Sequence, residues 1–210
     1  ENDKGGGEEE KETMIFSKLF QTPVTKRHVQ QKVIATHPLH LFRIIQDVDQ
    51  YSTFLPLCHY SKIIHRSPDG RTFDGKLRIG QPPLFQEEYI SRVTVIPEEW
   101  TIQAKSISSQ NFDSLSSQWK LTELPTTHAF HPPFHSERTD ATQPLHLSYQ
   151  CHVDFFVEMT VSDPWIVSIL DRILQQVASQ QVEAFEKRCQ ALPIPHDLIE
   201  AAANYYHPRQ

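Results

Sequence analysis

The chain has 210 residues, 38% of them apolar, with a formal net charge of −6. That is enough for one domain with a sizeable core plus tails, and no window of 18 consecutive apolar residues suggests a membrane-spanning helix. Six acidic residues fall within residues 1–12 against Lys4 and Lys11, so this segment carries −4 and the rest of the chain only −2. A nearly neutral body with no basic stripe argues against nucleic acid as a partner and against charge-driven docking on anionic lipid.

Residues 1–22, with Gly5-Gly6-Gly7 followed by Glu8-Glu9-Glu10, read as a disordered acidic tail. This tail is neither a secretory signal nor an Arg-rich transit peptide. A first strand is expected over 26–35, with Val29, Val33 and Ala35 on one face. His37-Pro38 opens a short helix carrying Leu41, Phe42, Ile44 and Ile45, and a second covers about 48–54 before Leu55-Pro56 stops it. After Cys58 the apolar period changes from 3.6 to 2. Strands are expected over about 59–66, 72–79 and 85–96, with turns at Pro68-Asp69-Gly70-Arg71 and Gly80-Gln81-Pro82-Pro83. Phe73, Gly75, Leu77 and Ile79 point inward. Trp100, Ile102 and Ala104 share the face of another strand, and Leu115, Ser117, Trp119 and Leu121 the dry face of the next.

Residues 125–146 hold four prolines and no periodicity, which marks an excursion from the sheet. Residues 147–159 then alternate, with Leu147, Tyr149, Cys151, Val153, Phe155, Val157 and Met159 on one side and polar residues, except Phe156, on the other. Ser162-Asp163-Pro164 is a helix start, and no Gly or Pro follows until Pro193, giving a helix roughly 40 Å long. Its apolar arc is wider than a surface helix needs, so it can close a cavity as well as a core. Residues 193–210 read as a tail, weakly helical over 197–206. Strand, two short helices, a meander and a long terminal helix describe an α+β helix-grip fold: a curved antiparallel sheet of six to seven strands around the C-terminal helix.

Three isolated cysteines, Cys58, Cys151 and Cys189, suggest a reducing compartment rather than a disulfide framework. The cluster His128, His131 and His135 lies in the Pro-rich excursion, without the rigid support a zinc site needs, and no metal is expected. Asp154 and Glu158 share the wet face of their strand, so they are poor candidates for an acid–base pair. No catalytic residue is assigned.

Five segments in order carry a family resemblance: 49–58 (Asp49-Gln50-Tyr51-Ser52-Thr53-Phe54-Leu55-Pro56-Leu57-Cys58), Gly80-Gln81-Pro82-Pro83-Leu84, Glu88-Tyr89, Leu115-Ser116-Ser117-Gln118-Trp119, and 181–188 (Gln181-Val182-Glu183-Ala184-Phe185-Glu186-Lys187-Arg188). Over residues 27–190 the chain resembles the coenzyme Q-binding START-domain family, the mitochondrial ubiquinone chaperones. The resemblance implies a START-like lipid-binding domain over 23–192 with the 125–146 insertion. It also implies a non-catalytic function: binding and delivery of ubiquinone, peripheral on the matrix side of the mitochondrial inner membrane. Implied partners are ubiquinone, the lipid surface, and respiratory or quinone-biosynthesis complexes.

With that resemblance the dry-face residues Trp119, Phe155, Val157, Ile166, Leu170, Ile173 and Val177 become a candidate tunnel. Phe54, Leu55, Leu57, Leu84 and Phe85 become its mouth, and Glu87, Tyr89 and Ser117 candidate head-group contacts. At Leu57 and in the 125–146 segment the chain departs from the family pattern. The competing readings are a polyketide cyclase-like enzyme on the same fold, or a protein-interaction module with a filled core.

Overall fold

The structure, a computed structural model, describes residues 22–82, 85–109, 111–124 and 149–193, and all side chains there except those of Gln81, Phe85, Ile169, Leu170, Asp171 and Ile173. The 1–21 tail, the 125–148 segment with its histidines, Leu84, and the tail beyond 193 lie outside the described residues.

The elements run β1 (Val24–Ile34), α1 (Pro38–Gln46), a 3-10 turn (Val48–Gln50), α2 (Tyr51–Phe54), β2 (Cys58–Arg66), β3 (Thr72–Gln81), β4 (Phe85–Ile96), β5 (Thr101–Ser108), β6 (Ser114–Leu124), β7 (Gln150–Val161) and α3 (Pro164–Ala191). The seven strands form one antiparallel sheet in the order β1-β7-β6-β5-β4-β3-β2, with α3 packed on β1, β7 and α1. From β2 to β6 each strand pairs with the next across a short connection, β6 pairs with β7 across the long segment between Leu124 and Gln150, and β1 returns to the sheet only through β7. The helix-grip architecture expected from the chain order is present.

The strict alternation of β7 translates directly into burial. Cys151, Val153, Phe155, Val157, Met159 and Val161 are all buried, and the residues between them are not. Asp154 and Glu158 are indeed on the outer face, where they bind Gln31 and Arg27 of β1. At α3 the Asp163 carboxylate accepts from the backbone N–H of Trp165 and Ile166 at 2.8 and 3.3 Å, satisfying two orphan donors ahead of Pro164 at the first helical position.

Val29 and Val33 do share a face, but it is the solvent face, at 57% and 47% exposure. Alternation fixes which residues go together; what lies above them decides which set is covered. Here His28, Gln30 and Lys32 form the half-buried set, α3 packs on this strand, and the Lys32 ammonium meets Glu186 of α3 at 2.6 Å. Trp100 is not the first residue of β5 either. It ends the 97–99 turn at φ 52°, and its ring meets Phe42 edge-on at 5.5 Å.

Candidate functional site

Between the concave face of β3–β6 and the N-terminal half of α3 lies a cavity of about 390 Å³. Its floor is open because the sheet places small side chains where bulky ones would fill the space. Ser91, Ala104 and Ser117 all line it, with Ala104 paired to Val93 on one side and Ser117 on the other. Apolar walls surround that floor: Leu77, Ile79, Ile102, Leu115, Val157 and Met159 from the sheet, and Ile166, Leu174 and Val177 from α3.

Aromatic rings close the inner end. Trp119 and Tyr51 line the cavity, and both contact Phe185 of α3 at centroid distances of 4.9 and 5.3 Å. Phe54 meets the same ring at 5.2 Å. The opening is marked by the exposed members of the lining: Pro56 on one side, and Trp165, Arg172 and Gln176 of α3 on the other. Trp165, Arg172 and Gln176 stand seven and eleven residues apart along α3, which puts them on one helix face.

Several polar groups reach the cavity, and the titratable ones among them are held neutral. Burial pushes the Tyr89 phenol well above its ordinary range, with Cys58 and Glu87 adding to the shift. Burial does the same to Tyr51, whose hydroxyl donates to the Ile45 carbonyl. The Cys58 thiol is also raised by burial and donates to the Tyr60 carbonyl at 3.5 Å. Ser91 and Ser117 add neutral hydroxyls. Among the described residues the lining holds no Asp, Glu, His or Lys, and its only charge is Arg172 at the opening. Such a site can hold an apolar ring and offer hydrogen bonds to its oxygens. Its described residues present no carboxylate or imidazole to move a proton.

The candidate residues fall into three groups. Trp119, Val157, Ile166 and Val177 line the cavity, as do Leu55, Leu57, Tyr89 and Ser117. The side chains of Leu170, Ile173 and Phe85, and the whole of Leu84, lie outside what is described. Three others point elsewhere. Phe155 is fully buried behind Trp119, its ring 4.4 Å from the indole, so it supports the wall without lining it. Phe54 is turned by α2 toward Phe185 and carries the Arg188 guanidinium at 5.3 Å, lining a neighbouring groove instead.

Glu87 is buried at 1% exposure yet absent from the lining. Its carboxylate accepts from Ser109 Oγ at 2.8 Å, from the Asn111 backbone at 3.3 Å, and from the Asn111 amide. It is a staple for the β5–β6 connection, and Ser109 in turn accepts from the Phe112 backbone at 3.0 Å. Glu87→Ala should therefore lower the melting temperature by roughly 2–12 °C, from about 1–3 kcal/mol for unpaired buried partners at about 2–4 °C per kcal/mol. Glu87→Gln, which keeps an acceptor, should recover much of that. Unchanged melting in both variants together with lost ligand binding would place Glu87 on the ligand instead.

Sequence reasoning missed Trp165, Arg172 and Gln176. Trp165 directly after Pro164, in the first turn of a capped helix, was the available signal. A bulky ring there has no preceding turn to pack against.

A family model described as polyketide cyclase/dehydrase and lipid transport matches residues 34–186. The chain is 27% identical over 154 residues to the mitochondrial coenzyme Q-binding protein COQ10 of Dictyostelium discoideum, covering 72% of this chain and 63% of that protein. It is 31% identical over 103 residues to the protein of the same name from Saccharomyces cerevisiae, covering 48% of this chain and 49% of that one. The chain thus spans about half to just under two thirds of the length of these relatives. A START superfamily protein from Mycobacterium smegmatis superposes with a TM-score of 0.61 at 15% identity, over 80% of this chain and 99% of the other, a likeness of fold.

Proposed function

We propose, from the premise that the chain belongs to the polyketide cyclase/dehydrase and lipid transport family, that it binds and delivers ubiquinone without converting it. The observation that carries this reading is the lining itself: an apolar cavity of about 390 Å³ whose inward polar side chains, among the described residues, are neutral: hydroxyls, the Cys58 thiol and the Gln181 amide. A volume at the lower end of the usual range of about 300–1,000 Å³ for small-molecule pockets suits a substituted quinone ring and the first prenyl units. Tyr89 and Ser117, with Ser91 beside them, are the donors for the ring oxygens. The names of the relatives point to the same ligand and to the mitochondrion.

The energetics set how such a carrier works. Burying a prenyl chain from water is worth about 0.8 kcal/mol per CH₂, but ubiquinone starts in a bilayer that is already apolar. Moving the tail into protein gains little, so selectivity rests on the ring and on cavity shape. Loading then takes place at a membrane surface, with Pro56 and Trp165 at the opening facing lipid. Peripheral residence on the matrix side of the inner membrane, in support of respiration and quinone biosynthesis, is part of this reading.

The purified protein is expected to carry a prenylated quinone, identified by solvent extraction and mass spectrometry. Incubation with ubiquinone should leave the quinone chemically unchanged. Recovery of a polyketide-like product, or steady turnover of either compound, would instead make the cavity an enzyme site.

A further inference from the structure

The turn that borders the opening is built at a conformational cost. Residues 55–58 close with the Cys58 N–H donating to the Leu55 carbonyl at 3.3 Å, Pro56 in the second position and Leu57 in the third. Leu57 has φ of 63°, a left-handed backbone that Gly or Asn normally supplies at the third position of such a turn. A branched leucine there is an outlier, because its Cβ crowds the backbone. The turn is pinned from the other side as well: the Gly80 N–H at the end of β3 donates to the Leu57 carbonyl at 2.8 Å. Sparsely populated backbone conformations persist where the surroundings over-determine them, and they gather at ligand clamps. Here the left-handed residue is one whose half-buried side chain lines the cavity, next to exposed Pro56.

We propose that Leu57 is the retention latch of the cavity: the 55–58 turn holds its side chain across the opening, where it keeps water from a bound apolar ligand and sets the rate of release. The role explains why the position is not glycine. A glycine would relax the turn and leave the opening uncovered. Trp165, on the opposite border and 53% exposed, supplies the other apolar side. The inference rests on the reading of the cavity as a lipid-quinone site, and its test separates the two.

Two variants isolate the strain from the side chain. Leu57→Ala keeps a Cβ in the left-handed conformation and removes the cover; Leu57→Gly removes both. At an ordinary position alanine is the more stable of the pair, so a latch under strain predicts the reverse order, with Leu57→Gly melting above Leu57→Ala. Both should release ligand at least about fivefold faster than the parent, because a lost apolar cover acts mainly on dissociation. Release is read by stopped flow after mixing loaded protein with phosphatidylcholine vesicles. The probes are a ubiquinone with a two-isoprene tail, followed by tryptophan quenching, and 1-anilinonaphthalene-8-sulfonate, followed by its own fluorescence. Unchanged release in both variants overturns the latch, and so does alanine melting above glycine, which would make Leu57 an ordinary packing residue. If the parent protein binds the naphthalene probe and no quinone, the functional reading fails while the latch is judged on the naphthalene probe. A parent that binds neither removes both.

Discussion

Phe185→Ala is expected to lower the melting temperature by roughly 6–20 °C, from about 3–5 kcal/mol for truncating a buried phenylalanine at about 2–4 °C per kcal/mol for a chain of this length. Phe185 has no exposed surface, and its ring meets Tyr51 and Phe54 of α2 and Trp119 of β6 together. These contacts join the long helix, the short helix and the sheet at one point. The space left by truncation would be lined by rings stacked against further neighbours, Trp119 on Phe155 among them, so the site has little freedom to collapse. Edge-to-face geometry at 83° for the Tyr51 and Phe54 pairs adds a loss beyond burial alone. Circular dichroism melts of Phe185→Ala and Phe185→Leu check the expectation, with leucine recovering much of the loss. A fall below about 3 °C for alanine would correspond to roughly 1 kcal/mol and would mean that the three elements hold together without this ring.

The second large effect is on ligand binding. Ala104→Trp should reduce affinity for ubiquinone at least about tenfold, the factor that 1.4 kcal/mol represents, while leaving the melting temperature level or raised. Ala104 is half-buried on the cavity floor between Val93 and Ser117, so an indole there projects into space that is already empty. Filling a cavity commonly stabilises a fold, whereas overpacking a filled core costs about 1–3 kcal/mol. A level or raised melting temperature therefore reports an indole accommodated by the cavity, independently of any ligand. Gln103→Trp, on the exposed outer face of the same strand, is the control that should leave affinity unchanged. Titration by tryptophan quenching needs correction for the added indole, so equilibrium partition of ubiquinone between protein and vesicles is the better readout. Full affinity in Ala104→Trp would put the quinone somewhere other than this cavity.

The element order, the strand faces and the start of the terminal helix were legible in the chain. Each depends on neighbours a few residues apart: the alternation from Cys151 to Met159, the Asp163-Pro164 cap, the turn at 68–71. The family resemblance pointed to a cavity, and composition and charge pointed away from nucleic acid. Which residues meet that cavity was a tertiary decision. Phe155 and Trp119 both have inward parity, yet only Trp119 lines the space, because one ring lies behind the other. Glu87 is inward by the same parity, and its carboxylate is taken by Ser109 and Asn111, partners more than twenty positions away. Val29 and Val33 alternate as a buried pair would, and α3 covers the opposite side of their strand. A period of two says which side chains share a face. Whether that face is filled, hollow or wet depends on the summed volumes of strands and helices far apart in the chain. Leu57 is the sharpest instance: its type predicts an ordinary apolar loop residue, and only the closing of the 55–58 turn against the end of β3 puts it in the left-handed conformation at the opening.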